Sequence, residues 1–169
     1  MKKLFFWIFF SAFLTKTPAI AGSDSVVFSI HGVLGASPCS LSVTDLNVPL
    51  EDADVTELQG GKDVFGANFL IPFTCSSAGA IVFQFDGNHR TDASLLNTTQ
   101  PSVALKTECT NAFNQYQKVV FGDVFQFGNP IGPVNVDIKC NVFYKKITGL
   151  PDPSPGPVNA SLTMTISLI

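Results

Sequence analysis

Four cysteines and two histidines are the residues of this 169-residue chain best suited to bind a metal or act as nucleophiles. They are Cys39, Cys75, Cys109, Cys140, His31 and His89. No two cysteines have C-x-x-C spacing, which disfavours a zinc site. If the chain is exported, an even number of cysteines is typical of disulfides, and three pairings are possible. Their order favours Cys39 with Cys75 and Cys109 with Cys140, although spacing alone leaves the connectivity open.

The acidic residues Glu51, Asp52, Asp54 and Glu57 are a second candidate for chemistry. Carboxylates bind calcium, but this spacing does not match an EF-hand loop, and a solvated charged loop is the simpler interpretation. The sequence also has no G-x-S-x-G, no H-E-x-x-H and no phosphate-binding glycine loop. We therefore predict no catalytic residue, no metal and no cofactor, and we predict that the chain is not an enzyme.

The N-terminus has the three parts of a secretory signal peptide. Two lysines precede the apolar run 4–14, and residues 19–21 (AIA) form a small-x-small cleavage site. A transmembrane anchor is the alternative interpretation, but the run is too short to span a bilayer. Cleavage after Ala21 would leave seven basic and thirteen acidic residues. This negative balance argues against nucleic-acid binding.

Apolar and polar residues alternate in several short segments, which is the pattern of half-buried β-strands. The segments are residues 26–34, 41–43, 69–75, 81–85, 103–105, 119–121, 124–127, 134–144 and 162–168. Clusters of Gly, Pro, Asn and Asp separate them, so the chain after the signal peptide is predicted to be a single all-β sandwich. Residues 51–58 could form one helical turn, but their aspartates favour a loop.

The first and last strands are the most informative segments. The first lies ahead of Cys39, and the last runs to Ile169. The simplest interpretation is that both strands pair within one ordinary sandwich. The alternative is that they pair with other proteins by strand addition.

Several segments, taken in order, resemble the pilin subunits of chaperone–usher fimbriae in Gram-negative bacteria. They are Ile30-His31-Gly32-Val33-Leu34, Pro38-Cys39-Ser40-Leu41, the strand 69–75 ending in Cys75, the strand 82–87 ending in Gly87, Gly156 at fourteen residues from the end, and the alternating segment 160–164. Two features depart from the family pattern. Leu168 stands where pilins usually have a penultimate tyrosine, and Cys109 and Cys140 exceed the single disulfide of a major shaft subunit. The extra cysteines favour a minor or tip-associated subunit.

The resemblance implies an incomplete immunoglobulin-like β-sandwich that lacks its final strand and carries an N-terminal donor-strand extension. In this family a periplasmic chaperone fills the groove and binds the terminal carboxylate with basic residues. At the outer-membrane usher, the extension of the next subunit replaces the chaperone strand. The expected donor residues are Val26, Phe28, Ile30, Gly32 and Leu34. The residues expected in the chaperone-binding C-terminal strand are Gly156, Leu162, Met164, Ile166, Leu168 and Ile169.

The predicted organisation is a signal peptide at 1–21, a donor extension at 22–32 and a pilin domain at 33–169. The predicted function is that of a minor or adaptor pilin, exported through the periplasm to the cell surface, that polymerises by donor-strand exchange and contributes to adhesion. Its expected partners are a periplasmic pilus chaperone, an outer-membrane usher and neighbouring pilin subunits. A receptor- or glycan-binding adhesin subunit, which would contact a host receptor, is one alternative. A self-contained exported β-sandwich binding protein is the other.

Overall fold

A computed structural model of the chain describes residues 26–33, 38–42 and 45–169, with the backbone alone at residues 26, 27 and 31–33. The predicted signal peptide, residues 22–25 of the predicted extension, Leu34 and Val43 lie outside the described residues. The elements are β1 (Val26–Val33), β2 (Cys39–Leu41), β3 (Asp45–Leu50), α1 (Val55–Gln59), β4 (Val64–Cys75), β5 (Ile81–Gly87), β6 (Leu95–Asn97), β7 (Val103–Thr110), β8 (Tyr116–Lys118), β9 (Val124–Gly128), β10 (Val134–Lys146) and β11 (Ala160–Leu168). Within the described ranges, no helix has the length and apolar character needed to cross a membrane.

The strands form two sheets, as the alternating sequence pattern predicted. One sheet has the order β3-β1-β11-β5-β9, and the other has the order β2-β4-β10-β7-β6 with β8 paired to β7. Every second residue of β11 is buried at Leu162, Met164 and Ile166. Because side chains alternate between the two faces of a strand, one face of each sheet supplies the core and the other faces water.

Aromatic rings hold the two sheets together. Phe73 of β4 is fully buried and meets Phe83 of β5 and Phe127 of β9, with ring centroids 5.2 and 5.1 Å apart. Both ring pairs are close to perpendicular, which is a favoured aromatic geometry. Since Phe73 belongs to one sheet and its two partners to the other, this cluster lies at the centre of the sandwich.

Both disulfides lie within the second sheet and confirm the pairing that the cysteine order favoured. Cys39 of β2 is bonded to Cys75 of β4, and Cys109 of β7 is bonded to Cys140 of β10. Each pair is directly opposed across an antiparallel ladder. The disulfides close separations of 36 and 31 residues. In the chain-entropy model each stabilises the fold by about 3–4 kcal/mol.

The acidic stretch is not the simple loop that its aspartates favoured. Asp54 caps α1, because its Oδ1 accepts a hydrogen bond from the backbone N–H of Thr56 at 2.7 Å. Glu57 stands three residues later, so the sequence D-x-x-E is an N-terminal helix signal that the prediction missed. In the part of the chain that the structure describes, no group of three or more His, Cys, Asp or Glu residues is arranged to hold a metal ion.

The sequence prediction also missed strands β6, β8 and β3. In β3, Asn47 and Pro49 separate the apolar residues Leu46, Val48 and Leu50. It is an edge strand, where a proline without an N–H group is tolerated. Residues 119–121 were predicted as a strand but form none, although Val119 and Phe121 are buried.

Candidate functional site

The site of interest is the position between β3 and β11 in the first sheet, which we call the groove. Strand β1 lies in it, parallel to β11 and antiparallel to β3. Phe28 stands opposite Ala160 on one side and Val48 on the other. The N-terminal strand of the chain therefore pairs with the C-terminal strand of the same chain, in parallel orientation.

The inward side chains of β1 close the hydrophobic core. Phe28 is fully buried and Ile30 is 4% exposed. The ring of Phe28 lies 6.0 Å from the ring of Phe69, which comes from β4 in the opposite sheet. Burying two such side chains stabilises a fold by about 1.5–3 kcal/mol each. Strand β1 is therefore an integral layer of the sandwich in this arrangement.

The outward side of β1 is polar. Ser29 stands directly opposite Asn47 of β3, and its Oγ donates a hydrogen bond to Asn47 Oδ1 at 3.1 Å. This bond is exposed to solvent and contributes little to stability. The same pair reports on the position of β1, because the two side chains meet only when β1 lies beside β3.

The structure brings four of the five predicted donor positions into the groove of their own chain. Phe28 and Ile30 are buried there, Val26 stands opposite Leu50 and Gly32 opposite Met164. The side chain of Val26 is not described, and the fifth position, Leu34, lies outside the described residues. The groove that the resemblance expected to be empty in the subunit is thus filled from within. An empty groove would expose a row of apolar side chains and two strand edges, which is unfavourable in water.

The predicted C-terminal strand residues divide into three environments. Leu162, Met164 and Ile166 are buried in β11. Leu168 is half-buried and packs on Gly79, where an added Cβ would lie 2.9 Å from Leu168 Cγ. Leucine at this position therefore makes an apolar contact within its own chain. Ile169 exchanges two backbone hydrogen bonds with Ala80, while its side chain is 75% exposed.

Gly156, the remaining predicted residue, lies in the segment between β10 and β11. Its φ is +156°, and an added Cβ would lie 3.0 Å from Gln100 Nε2. That amide donates a hydrogen bond to the carbonyl of Ser154 at 3.0 Å and so fixes the proline-rich segment. The glycine permits this close approach.

A cavity of about 230 Å³ opens beside Gly156, where β11 begins. Leu58, Val103 and Val158 supply much of its apolar lining. Tyr144 also lines it, and its hydroxyl donates a hydrogen bond to the carbonyl of Glu51 at 3.0 Å. Burial raises the pKa of Tyr144 to about 12. The hydroxyl therefore remains a neutral donor throughout the physiological range.

The sequence prediction missed the second wall of the groove. Val48 and Leu50 of β3 are buried on the side of β1 opposite β11. The alternation of Leu46, Val48 and Leu50 was the signal that could have identified them. Asn47 and Pro49 are rare in strands, so this alternation was not interpreted as a strand.

No protein-family model matches the chain, and no curated protein matches it. Solved structures do match. The P pilus rod subunit PapA superimposes with a TM-score of 0.57 and 16% identity, covering 79% of this chain and 100% of the PapA chain. A chain from a chaperone–usher pilus, solved to explain the uncoiling of its rod, superimposes with a TM-score of 0.59 and 18% identity, covering 82% of this chain and 92% of the other. The chain therefore has the two-sheet, immunoglobulin-like fold of chaperone–usher pilus subunits.

Proposed function

We propose that this chain is a structural subunit of a chaperone–usher fimbria, of the minor or adaptor type, that polymerises by donor-strand exchange and contributes to adhesion. The main observation in support of the proposal is the position of β1 between β3 and β11. It is an apolar strand at the N-terminal end of the described chain, and it fills the groove between β3 and the C-terminal strand. A strand in that place is the element that exchange would move from one subunit to the next.

The pairing of β1 is compatible with an exchange. Strand β1 runs parallel to β11 and antiparallel to β3, so an inserted strand of either direction makes one parallel and one antiparallel ladder. A strand from a neighbouring subunit would therefore pair with both edges of the groove, as β1 does. If its inward side chains were apolar, it would also cover the core at Leu162, Met164 and Ile166. The groove can thus accept an external strand without losing a ladder.

We propose three kinds of partner: a periplasmic chaperone, an outer-membrane usher and neighbouring pilin subunits. When β1 leaves the groove, the edges of β3 and β11 lose their pairing and the core beneath them is uncovered. A periplasmic chaperone that adds a strand would protect these edges, and an outer-membrane usher would bring the next subunit. The similar solved structures, a P pilus rod subunit and a chain from a chaperone–usher pilus, support this assignment. The proposed location is the fimbria on the cell surface, reached through the periplasm.

A second candidate function is that of a self-contained exported β-sandwich. The presence of β1 in its own groove favours it, because the core is then complete without a partner. The two candidates differ in one property, which is whether β1 leaves the groove during the life of the protein.

A disulfide that holds β1 in its own groove distinguishes the fimbrial subunit from the self-contained sandwich. In the double variant Ser29→Cys/Asn47→Cys, a disulfide would tie β1 to β3 and keep the groove filled. We expect the wild-type chain, isolated from the host periplasm, to bring a pilus-type chaperone and other subunits with it. The locked variant should be isolated alone, whereas Ser29→Ala/Asn47→Ala should behave like wild type. A wild-type chain that is always isolated without partners would instead support the self-contained sandwich.

A further inference from the structure

The cavity of about 230 Å³ beside Gly156 lies outside the groove, and we call it the Tyr144 cavity. Its lining comes from residues within the segment 52–58, from Gln100 and Val103, from Tyr144 of β10, and from the connection 153–158. None of the lining residues belongs to β1. A ligand can therefore bind in this cavity whether or not β1 leaves the groove.

The Tyr144 cavity has an apolar floor and a polar mouth. Leu58, Val103 and Val158 line it and are buried in the core, so they form its floor. Asp52 and Ser154 line it and are exposed, so they lie at its mouth. Small-molecule sites commonly combine an apolar lining with a few polar groups that orient the ligand. This arrangement suits a ligand with an apolar body and one polar group.

Hydrogen bonds fix the walls of the cavity before any ligand binds. Gln59 Nε2 donates to the carbonyl of Pro153 at 3.0 Å, and Gln100 Nε2 donates to the carbonyl of Ser154 at 3.0 Å. The proline rings at 153 and 155 also restrict the backbone of this wall. Because the walls are already ordered, little conformational entropy is lost when a ligand enters.

The side-chain groups that line the cavity and remain available are mainly hydrogen-bond acceptors. The hydroxyl of Tyr144 donates its hydrogen to the carbonyl of Glu51, so its oxygen can only accept a further bond. Gln100 uses its Nε2 on Ser154, which leaves Oε1 as an acceptor. Asp52 contributes a carboxylate, and the hydroxyl of Ser154 can donate or accept. A ligand group that donates several hydrogen bonds therefore matches this lining.

The charge at the cavity is negative. Among the residues that the structure describes, no Lys, Arg or His lines the cavity, and Asp52 forms no ion pair. Lys146, which follows Tyr144 by two positions, is paired with Asp152. After burial, the charge of Asp52 is the second cause of the raised pKa of Tyr144, so this carboxylate acts on the interior of the cavity. A positively charged ligand is therefore favoured.

We propose that the Tyr144 cavity binds a small primary amine in its ammonium form, with the apolar body on the floor and the ammonium group at Asp52. An ammonium group has three donors and no acceptor, which matches the acceptors of the lining. The cavity is smaller than the roughly 300–1,000 Å³ of sites for drug-sized ligands. The ligand is therefore a short alkylamine or arylalkylamine.

Hexylammonium chloride is the probe for this site. It is titrated into the purified, isotope-labelled chain, and binding is followed by the NMR chemical shifts of the backbone amides. We expect saturable shifts within residues 52–58, 100–103 and 153–158, with a dissociation constant on the order of 1 mM for so small a ligand. Hexanol has the same apolar body without the charge and should bind at least about tenfold more weakly. Ammonium chloride, which has the charge without the body, should give no saturable shifts there.

Two matched substitutions complete the test. Asp52→Asn should weaken the binding of hexylammonium by about tenfold or more and leave the binding of hexanol unchanged, because only the ammonium group contacts this carboxylate. Asp123→Asn removes the same charge from an exposed position outside the cavity lining and should bind hexylammonium like wild type. The inference is overturned if wild type shows no saturable shifts at the lining amides, if hexanol binds as tightly as hexylammonium, or if the two substitutions have equal effects. Strand donation is measured separately with the disulfide-locked variant, so the two proposals can fail independently.

Discussion

The contribution of β1 to the stability of the subunit can be measured with a single substitution, Phe28→Ala. Phe28 is fully buried, its ring lies 6.0 Å from that of Phe69, and Val48 stands opposite it on β3. Removing a ring from such a position costs the transfer free energy of the ring and leaves a cavity. Together these effects lower the free energy of unfolding by about 3–5 kcal/mol. That is a large part of the 5–15 kcal/mol typical of a domain.

Ser29→Ala is the matched control on the same strand. Ser29 is the outward neighbour of Phe28, and its hydrogen bond to Asn47 is exposed. Its loss should lower the free energy of unfolding by no more than about 1 kcal/mol. The two variants therefore alter the same strand on opposite faces and should differ severalfold in their effect.

Urea unfolding of the purified chain, followed by circular dichroism, measures both effects. With a typical dependence on urea, Phe28→Ala should move the midpoint down by about 2 M. If Phe28→Ala and Ser29→Ala unfolded at the same midpoint as wild type, β1 would contribute nothing to the core.

Three further predictions concern the rest of the domain. Because burial raises the pKa of Tyr144 to about 12, the folded chain keeps a proton that the unfolded chain loses near pH 10. Stability should therefore fall by up to about 2–3 kcal/mol between pH 10 and 12, and urea unfolding of Tyr144→Phe should show a smaller fall; equal losses would contradict the burial of the hydroxyl. Gly128→Ala would place a Cβ 2.7 Å from the Cβ of Ala112, so its melting temperature should drop by an amount equivalent to about 1–3 kcal/mol, while Gly132→Ala, with nothing within 4 Å, should melt like wild type. Replacing both cysteines of the disulfide between β7 and β10 by alanine should cost about 2–4 kcal/mol in urea unfolding, and an unchanged midpoint would show that the bond does not restrain the chain.

The sequence identified the strands whose apolar alternation is uninterrupted. Strands β5, β10 and β11 were predicted within two residues of their observed bounds, because period-two alternation determines which face is buried. For β4 only the part from residue 69 to Cys75 was predicted. The same reasoning identified Phe28 and Ile30 as inward-facing residues of an N-terminal strand. The disulfide pairing was favoured by order, and the structure explains it through direct opposition across two ladders.

The features that were not predicted from the sequence depend on tertiary structure. Strand β3 contains Pro49, which is acceptable only because β3 is an edge strand, and edge position is not encoded locally. The strands that pair with β1 could not be predicted either, because alternation predicts a strand but not its neighbours in the sheet.

Donor-strand exchange requires that the groove between β3 and β11 accept a strand that is not covalently continuous with it. The most direct test uses a chain that lacks residues 22–33 and a synthetic peptide of residues 22–34, refolded together and apart. We expect the shortened chain alone to aggregate or to unfold without cooperativity, and the peptide to restore a cooperative transition. A peptide with Phe28→Asp should fail to do so. A shortened chain that folds as a stable monomer without the peptide would show that the groove needs no inserted strand, and one that the peptide cannot rescue would show that the groove does not accept a separate strand.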